Sequence, residues 1–322
     1  MKPERLYKLI EPDMQAVDAV IRRKLHSDVT LIQQVTEHII NSGGKRLRPA
    51  LVLLAAGALE YDGTRHHELA AMVEFIHTAT LLHDDVVDES DLRRNQKTAN
   101  ALFGNAASVL VGDFLYSLSF QMMVGVDEMR VMRIMAEATR LIAEGEVLQL
   151  MNCHNADVDE QSYLRVIRSK TAKLFEAASR LGAIAGSADR ETEQCLADYG
   201  MHLGTAFQLI DDVLDYTGAE AETGKHLGDD LAEGKPTLPL IHAMRNGTAD
   251  EARSVRQAIE HGGRENFPEV LSAIRATGAL EYTVKRAESE ARRAQISIGS
   301  LPASTYKDSL LDLATFAVAR TF

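Results

Sequence analysis

The chain has 322 residues, of which 45% are hydrophobic, 25% are charged and 5% are aromatic, with no tryptophan. A chain of this length can bury a large core, and no Pro/Gly/Ser-rich linker divides it, so we expect a single domain over residues 1–322. The formal net charge of -12 argues against general nucleic-acid binding, which requires a basic surface for the phosphate backbone.

The cysteine content and the hydropathy pattern indicate the compartment. Cys153 and Cys195 are the two cysteines, and their spacing argues against a disulfide framework or a zinc site. The N-terminal segment mixes acids and bases at helical spacing, unlike a signal peptide. No run reaches the roughly 18 uninterrupted apolar residues typical of a membrane span. We therefore expect a cytoplasmic protein without a transmembrane segment.

Helical periodicity extends along the whole chain, so the sequence predicts an all-α fold with no sheet. The predicted long helices cover residues 7–25, 29–41, 64–88, 107–124, 128–151, 160–185 and 190–216. Pro49 opens a further helix, and a polar loop covers 217–236. Shorter helices follow Leu238, separated at 246–247, 262–263 and 301–302 by glycine or proline. Long helices in such an array can enclose a tunnel.

Two aspartate clusters with the same DDxxD spacing end apolar helical stretches, the first at residues 84–88 and the second at 211–215. Residues four apart lie on one face of a helix, so Asp84 lies beside Asp88 and Asp211 beside Asp215. Crowded carboxylates repel one another unless hard cations lie between them, and Mg²⁺ suits carboxylate, phosphate and water oxygens. Two opposed clusters of this kind would hold a diphosphate through several Mg²⁺ ions.

A solvated helix face is the usual explanation of one acidic cluster, and for a single cluster we would prefer it. The residues before Asp84 and before Asp211 are, however, nearly devoid of charge. Partial burial of an unpaired carboxylate is costly, so acids seldom end such stretches for solubility alone. The repeated motif in apolar surroundings therefore favours metal binding.

Basic residues accompany the acidic clusters. The segment 43–49, GGKRLRP, places three cations in a glycine-started turn that leads into a helix, a combination able to wrap a phosphate. Arg93 and Arg94 follow the first cluster, where their guanidinium groups could clamp phosphate oxygens. Further cations stand at Lys170, which precedes Thr171, and at Lys225 and Lys235. This pattern is typical of a site for a metal-bridged polyanion.

The chain resembles the trans-isoprenyl diphosphate synthases, the polyprenyl synthase family, over nearly its whole length. The matching blocks are GGKRLRP (43–49), EFIHTATLLHDDVVDESDLRR (74–94), NAASVLVGDF (105–114), AEGEVLQLMN (143–152), SKTAKLFEAA (169–178), GTAFQLIDDVLDY (204–216) and GDDLAEGKPTLPLIHAM (228–244). Within this family the resemblance is to bacterial enzymes that make octaprenyl diphosphate. It implies a single helical bundle around a deep central cavity, and a homodimer.

The resemblance also implies a role for each site residue. Two or three Mg²⁺ ions would be ligated by Asp84, Asp88 and Asp211, with Asp85, Asp212 and Asp215 completing or supporting the shell. The diphosphate of isopentenyl diphosphate would be held by Lys45, Arg48, His77 and Arg94. The allylic diphosphate would meet Arg93, Lys170, Lys225 and Lys235. Two polar side chains, Thr171 and Gln208, would lie near the developing carbocation. A lone histidine on an apolar helix is more often a core residue, but His77 lies two turns before Asp84 on roughly the same face.

The implied reaction is ionisation of an allylic diphosphate, expected to be farnesyl diphosphate, then condensation with isopentenyl diphosphate and loss of a proton. The growing chain would run down the helix from the first cluster, where a side chain five residues earlier lies roughly 7 to 8 Å deeper. Small residues there, Ala79 and Thr80, favour a long product over a C15 one. The resemblance implies a product of about C40 or C45, for a quinone side chain. Farther along, Met122, Met123 or Met135 could floor the tunnel, although methionines at helical spacing are more often plain core. An apolar product of this length suggests transient membrane contact on release.

Two other functions remain open at this point. A class I terpene cyclase also ionises its substrate with an aspartate-rich metal site, but it needs no second diphosphate pocket. A non-catalytic subunit that regulates a related synthase would be expected to lose metal ligands, whereas both motifs are complete here. Consumption of isopentenyl diphosphate, and activity of the chain alone, discriminate among the three.

Overall fold

The structure is a computed structural model that describes residues 4–41, 43–93, 96–217 and 227–319. The all-α prediction is confirmed. The elements of the first half are α1 (Glu4–Leu9), α2 (Glu11–Lys24), α3 (Thr30–Asn41), α4 (Leu47–Gly57), α5 (Arg65–Val87), β1 (Leu92–Arg93), β2 (Gln96–Lys97), α6 (Ala99–Phe103), α7 (Asn105–Val126) and α8 (Met129–Asn152). Those of the second half are α9 (Glu160–Ile167), a π-helical segment (Arg168–Ala172), α10 (Lys173–Ala185), α11 (Arg190–Thr217), α12 (Asp229–Ala232), α13 (Leu238–Asn246), α14 (Ala249–His261), α15 (Phe267–Ala276), α16 (Ala279–Ser297) and α17 (Thr305–Val318).

Four local features differ from the sequence-based expectation, one of them the short helix α12 inside the predicted loop 217–236. The first predicted helix is interrupted at Ile10, because α2 begins at Glu11 with Pro12 in its first turn, where the missing N–H is tolerated. The predicted helix 160–185 contains the π-helical segment. A two-residue antiparallel ladder, β1 with β2, forms where no sheet was predicted, because a ladder this short leaves no alternating pattern to detect.

The chain folds into two compact units. Unit 1 comprises Met1–Thr139, Leu174–Gly200 and Ser297–Leu313. Its central helix is α5, which packs against α2, α4 and most extensively α7. Fully buried residues of α5 include Leu69, Met72 and Ile76, which exclude water along the helix that leads to the first aspartate cluster.

Unit 2 comprises Arg140–Lys173, Met201–Ile296 and Ala314–Phe322. One hydrophobic cluster joins α13, α14 and α15 around buried Leu240, Val255 and Ile274. A second cluster packs Leu209 and Ile210 of α11 against α9 and α13. The second aspartate cluster therefore begins on the last apolar turn of a helix that is fixed in a core. The single-domain organisation stays a prediction.

Among the described residues, α7 alone is long and apolar enough to cross a membrane by length and composition. About two fifths of its most apolar window is buried, since 39% lies inside the fold. One such helix is weak support for a span, because core helices of many proteins have the same length and composition.

Candidate active site

The first aspartate cluster divides its carboxylates between the interior and the surface. Asp85 is buried, at 2% exposure, whereas Asp84 and Asp88 are partly exposed. Two guanidinium nitrogens of Arg93 approach the Asp85 Oδ1 atom, Nε at 2.8 Å and Nη2 at 2.6 Å. Burial alone would lower the pKa of Arg93, but Asp85 and the neighbouring aspartates raise it above its ordinary value. Arg93 therefore keeps its charge beside the cluster.

Hydrogen bonds from the following segment fix the end of α5. The Asn100 side-chain amide donates to the Asp85 carbonyl at 3.1 Å and to the Ser90 carbonyl at 3.2 Å. The Thr98 hydroxyl donates to the same Ser90 carbonyl at 2.7 Å. One turn earlier, the Ser108 hydroxyl of α7 donates to the Leu82 carbonyl at 2.8 Å. The helix end that presents Asp84 and Asp88 is thus held by side chains from the segment 98–100 and from α7.

The cationic side chains of the basic turn 43–49 have different environments. Arg46 caps α4 in the left-handed conformation, and its Nη1 lies 2.6 Å from Asp18 Oδ1, so this guanidinium has a protein partner. Lys45 is exposed, while its carbonyl accepts a hydrogen bond from the Tyr7 hydroxyl. Lys45 is therefore positioned through its backbone.

Arg48 and His77, both predicted to bind isopentenyl diphosphate, are in direct contact. Arg48 Nη1 donates to His77 Nε2 at 3.1 Å. The Arg48 guanidinium also lies over the ring of Phe175, 4.5 Å from the centroid. Phe175 is fully buried, and such a cation–π contact contributes about 0.5 to 2 kcal/mol and fixes the plane of the fork. This geometry suits a group that presents two N–H donors to an anion.

A cavity within unit 1 is lined both by residues near the predicted isopentenyl diphosphate site and by residues of the first aspartate cluster. Its polar wall includes Arg46, His77, Asp85 and Arg93, and its apolar wall comes largely from α2, α3 and α5. Cationic and carboxylate groups thus share one concave surface with apolar side chains. The arrangement can accommodate a ligand with a charged head and a hydrocarbon portion.

In unit 2, the π-helical segment carries Lys170 and Thr171. The Lys170 ammonium forms an ion pair with Glu146 of α8, Nζ to Oε2 at 2.6 Å. Gly145, next to Glu146, lets the segment pass closely, because a Cβ atom there would lie 2.7 Å from the Lys170 backbone nitrogen. A π-helical turn inserts one extra residue per turn and is frequent at functional sites. It re-aims both side chains relative to an α-helical register.

The second aspartate cluster also has an inward carboxylate. Asp212 is buried, at 2% exposure, and accepts hydrogen bonds from the Tyr163 hydroxyl at 2.5 Å and from Gln208 Nε2 at 2.9 Å. The Gln208 carbonyl oxygen in turn accepts from the Thr171 hydroxyl at 2.9 Å. Thr171 and Gln208, predicted from the resemblance to lie near one reacting centre, are therefore adjacent. Burial, followed by the charge of Asp230, raises the pKa of Asp212 well above its ordinary value.

The remaining members of this cluster are directed outward. Asp211 is exposed and Asp215 is partly exposed. The Asp215 Oδ2 atom accepts from the Asp230 backbone N–H at 3.3 Å, so the start of α12 lies against the cluster. Lys235 forms an ion pair with Glu233. Its backbone N–H donates to the Asp230 carbonyl at 2.8 Å, which places Lys235 in the same folded segment.

Other predicted residues have simpler environments. Ala79 is fully buried, and Thr80 is partly buried with its hydroxyl donating to the His77 carbonyl at 2.8 Å. The predicted floor residues Met122, Met123 and Met135 are buried in unit 1. Arg94 and Lys225 lie outside the described residues. All the assigned roles, including chain-length control and the opposition of the two aspartate clusters, stay predictions.

Three residues that contact the site were not assigned a role from the sequence. Glu146 pairs with Lys170, Tyr163 holds Asp212, and Phe175 supports Arg48. Glu146 and Phe175 do stand inside the matching blocks 143–152 and 169–178, which was the available signal. Tyr163 stands outside every block and contacts Asp212 across 49 positions of sequence, so only folding could identify it.

The donor atoms of the two clusters fit Mg²⁺. Asp84, Asp88, Asp211 and Asp215 offer carboxylate oxygens at partly or fully exposed positions, as a hard cation that keeps several waters requires. The inward carboxylates Asp85 and Asp212 have protein partners, so they support the outward ones from behind.

The sequence profile of the family described as Polyprenyl synthetase matches residues 29–275. The chain is 53% identical over 321 residues to octaprenyl diphosphate synthase of Escherichia coli K12, covering 99% of each chain. It is 44% identical over 312 residues to the all-trans-nonaprenyl-diphosphate synthase (geranyl-diphosphate specific) of Rhodobacter capsulatus, covering 97% of this chain and 96% of the relative. The solved polyprenyl synthase from Caulobacter crescentus CB15, complexed with calcium and isoprenyl diphosphate, has a TM-score of 0.96 at 44% identity, with 100% of this chain and 98% of that chain covered. The chain therefore belongs to the polyprenyl synthetase family, as an all-helical enzyme of the prenyltransferase class.

Proposed function

We propose that this long-chain trans-polyprenyl diphosphate synthase adds isopentenyl diphosphate units head to tail onto farnesyl diphosphate and stops at about C40. The reaction depends on Mg²⁺, takes place in the cytoplasm and supplies a quinone side chain. Support comes from the relatives, whose names specify octaprenyl and nonaprenyl products. A C45 product is the alternative for chain length, and geranyl diphosphate is the alternative primer.

The main support for the proposal is that the carboxylates within each aspartate cluster differ in burial. One carboxylate per cluster, Asp85 or Asp212, is buried against a protein partner, while the others reach the surface. A face made only for solubility would not bury its middle member, because burial of a carboxylate without compensation is costly. Supported outward carboxylates are instead what metal-mediated diphosphate binding requires.

Side chains of the described residues bind and orient the two substrates in the proposed reaction. Mg²⁺, which Asp84, Asp88 and Asp211 would hold, would supply positive charge to offset the charge that develops on the departing diphosphate. Lys170 donates to diphosphate oxygens once it leaves its ion pair with Glu146, and Arg93 adds positive charge beside the first cluster. The Thr171 and Gln208 oxygens lie next to one another and stabilise the allylic cation. Lys45, Arg48 and His77 orient isopentenyl diphosphate so that its double bond attacks the cation, and the adduct then loses a proton to the released diphosphate.

Product analysis tests this function directly. The purified chain is incubated with farnesyl diphosphate, radiolabelled isopentenyl diphosphate and Mg²⁺, and the dephosphorylated products are separated by reversed-phase chromatography. We expect mainly C40, with C45 as the alternative, and no product after chelation of Mg²⁺. A parallel incubation with geranyl diphosphate compares the two primers. Failure to consume isopentenyl diphosphate under all these conditions would refute the proposal.

Single substitutions test the metal assignment. Asp84→Ala or Asp211→Ala is expected to reduce turnover by at least about a thousandfold, because each removes an outward oxygen ligand from the diphosphate site. Asp250→Ala is the matched control, since that carboxylate is 89% exposed on α14. Circular dichroism verifies folding of all three variants. Near-normal turnover in either cluster variant contradicts the assignment.

The same incubations separate the two rival functions. A class I terpene cyclase would convert the allylic diphosphate alone into a hydrocarbon, whereas the contact between Arg48 and His77 supports a second diphosphate pocket. A non-catalytic regulatory subunit would show no activity without a partner chain. Activity of the purified chain with both substrates excludes both rivals.

We also propose that the enzyme is a homodimer through α7. This helix leaves Val109, Leu110 and Val124 exposed, with exposed fractions of 37%, 65% and 67%. An apolar stripe on a helix of a packed protein favours a partner surface. Light scattering should give twice the mass of one chain for the wild type and the mass of one chain for Leu110→Asp.

An apolar C40 chain further favours transient membrane contact during release, which liposome co-sedimentation after turnover can measure.

A further inference from the structure

A cluster of nitrogen and oxygen ligands lies in unit 1, separate from the aspartate clusters and the basic turn. It consists of Asp13 on α2 with His66 and His67 in the first turn of α5. The Nε2 atoms of both histidines approach the same Asp13 oxygen, Oδ1, at 3.4 Å from His66 and 2.8 Å from His67. The three ligand atoms all lie within 4.8 Å of one another.

We propose that Asp13, His66 and His67 form a binding site for a divalent transition metal such as Zn²⁺. Zinc bonds to imidazole nitrogen and carboxylate oxygen are about 2.0 to 2.2 Å long, so ligand atoms around a tetrahedral ion lie roughly 3.3 to 3.5 Å apart. The distance from His66 Nε2 to Asp13 Oδ1, 3.4 Å, matches this spacing, and His67 Nε2, at 2.8 Å, would move slightly away from the carboxylate to admit the ion. Two imidazoles and one carboxylate leave a fourth position for water.

Packing holds the His66 ring in place with its Nε2 atom near Asp13. The His66 side chain is 7% exposed, and its Nδ1 atom has no hydrogen-bond partner among the described residues. No hydrogen bond at Nδ1 therefore fixes the orientation of this ring. The ring is held instead by the edge of Tyr61, with centroids 5.1 Å apart, and lies 4.1 Å from the His67 ring.

The donor set determines the class of metal. Imidazole suits Zn²⁺, Co²⁺, Ni²⁺ and Cu²⁺, whereas Mg²⁺ prefers oxygen ligands. The site is therefore chemically distinct from the all-carboxylate clusters at residues 84–88 and 211–215. Because it joins α2 to the start of α5, a bound ion would stabilise the folded protein by linking two helices far apart in sequence.

Metal titration of the full-length, tag-free protein tests the proposal. The protein is first chelated and then saturated with Mg²⁺, so that the carboxylate clusters are occupied. We expect one equivalent of Co²⁺ to bind, with visible absorption bands of a low-coordinate site, and Zn²⁺ to displace it. Cu²⁺ should show electron paramagnetic resonance hyperfine splitting from two nitrogens, which a carboxylate site cannot give.

Variants of the more accessible ligands make the test specific. His67→Ala and Asp13→Asn should each weaken Co²⁺ binding by at least about tenfold, since even outer-shell partners of metal ligands change affinity by about ten- to hundredfold. His261→Ala, an exposed histidine on α14, should bind as the wild type does. Zinc should raise the thermal midpoint of the wild type but not of His67→Ala, whose metal-free midpoint verifies its folding. Absence of binding in the wild type, or unchanged binding in His67→Ala, overturns the proposal.

Discussion

Replacing Gly145 by alanine tests whether the close approach of α8 to the π-helical segment positions the proposed catalytic residues. The added Cβ would lie 2.7 Å from the Lys170 backbone nitrogen and 2.9 Å from the Ser169 Cβ. Ordinary contact begins near 3.4 Å, so the segment must move by about 0.7 Å at Lys170. The obstructing atoms belong mainly to backbone and cannot rotate away.

Gly145→Ala changes the free energy of unfolding through two opposing effects and changes kcat through the displacement of the π-helical segment. Alanine gains up to about 1 kcal/mol of helix propensity over glycine, whereas overpacking costs about 1 to 3 kcal/mol. Gly145→Ala should therefore reduce the free energy of unfolding by no more than about 2 kcal/mol. A misplacement of about 1 Å can cost about a hundredfold in rate, so a shift of 0.7 Å should lower kcat by roughly 10- to 50-fold.

Steady-state incorporation of isopentenyl diphosphate measures kcat, and urea unfolding measures stability. Gly125→Ala on α7 is the matched control, because a Cβ atom there would meet nothing within 4 Å. The control should gain up to about 1 kcal/mol and keep full activity. If Gly145→Ala is as active as the wild type while remaining folded, the π-helical segment does not need its present position for catalysis.

Three further predictions concern different parts of the protein. Ala79→Tyr should shorten the product to about C15 to C20 by overpacking the proposed tunnel, and an unchanged product length on chromatography would rule out this path. Arg48→Lys should raise KM for isopentenyl diphosphate by about tenfold with little change in KM for the allylic substrate, because lysine lacks the planar fork that stacks on an aromatic ring. For Glu193, burial raises its pKa, but hydrogen bonds from Arg130 and Arg180 outweigh this effect and hold it below the ordinary value. The stabilisation from this ionised carboxylate is therefore present above the unfolded pKa of about 4.3 and is lost as pH falls through the lower folded pKa. We expect Glu193→Gln to reduce the free energy of unfolding by about 1.5 to 3 kcal/mol at pH 7 and by less near pH 4. An equal difference in urea unfolding at the two pH values would contradict that explanation.

The sequence by itself determined the helical fold and the chemistry offered at the site. Helix periodicity predicted α5 within a residue at each end, 64–88 against Arg65–Val87, because a long apolar stripe with a clear end is a strong local signal. The DDxxD spacing likewise fixed the type and number of carboxylates, since that information is local to one helix. The residue blocks identified the family.

Only the tertiary structure decided which members of each motif are inward and what supports them. Asp85 and Asp84 are adjacent in sequence, yet one is buried against Arg93 and the other is partly exposed. Tyr163 reaches Asp212 from another helix. Gly145 of α8 approaches the π-helical turn so closely that no Cβ atom fits between them. These features arise from packing between segments far apart in the chain, which no local pattern of residues records.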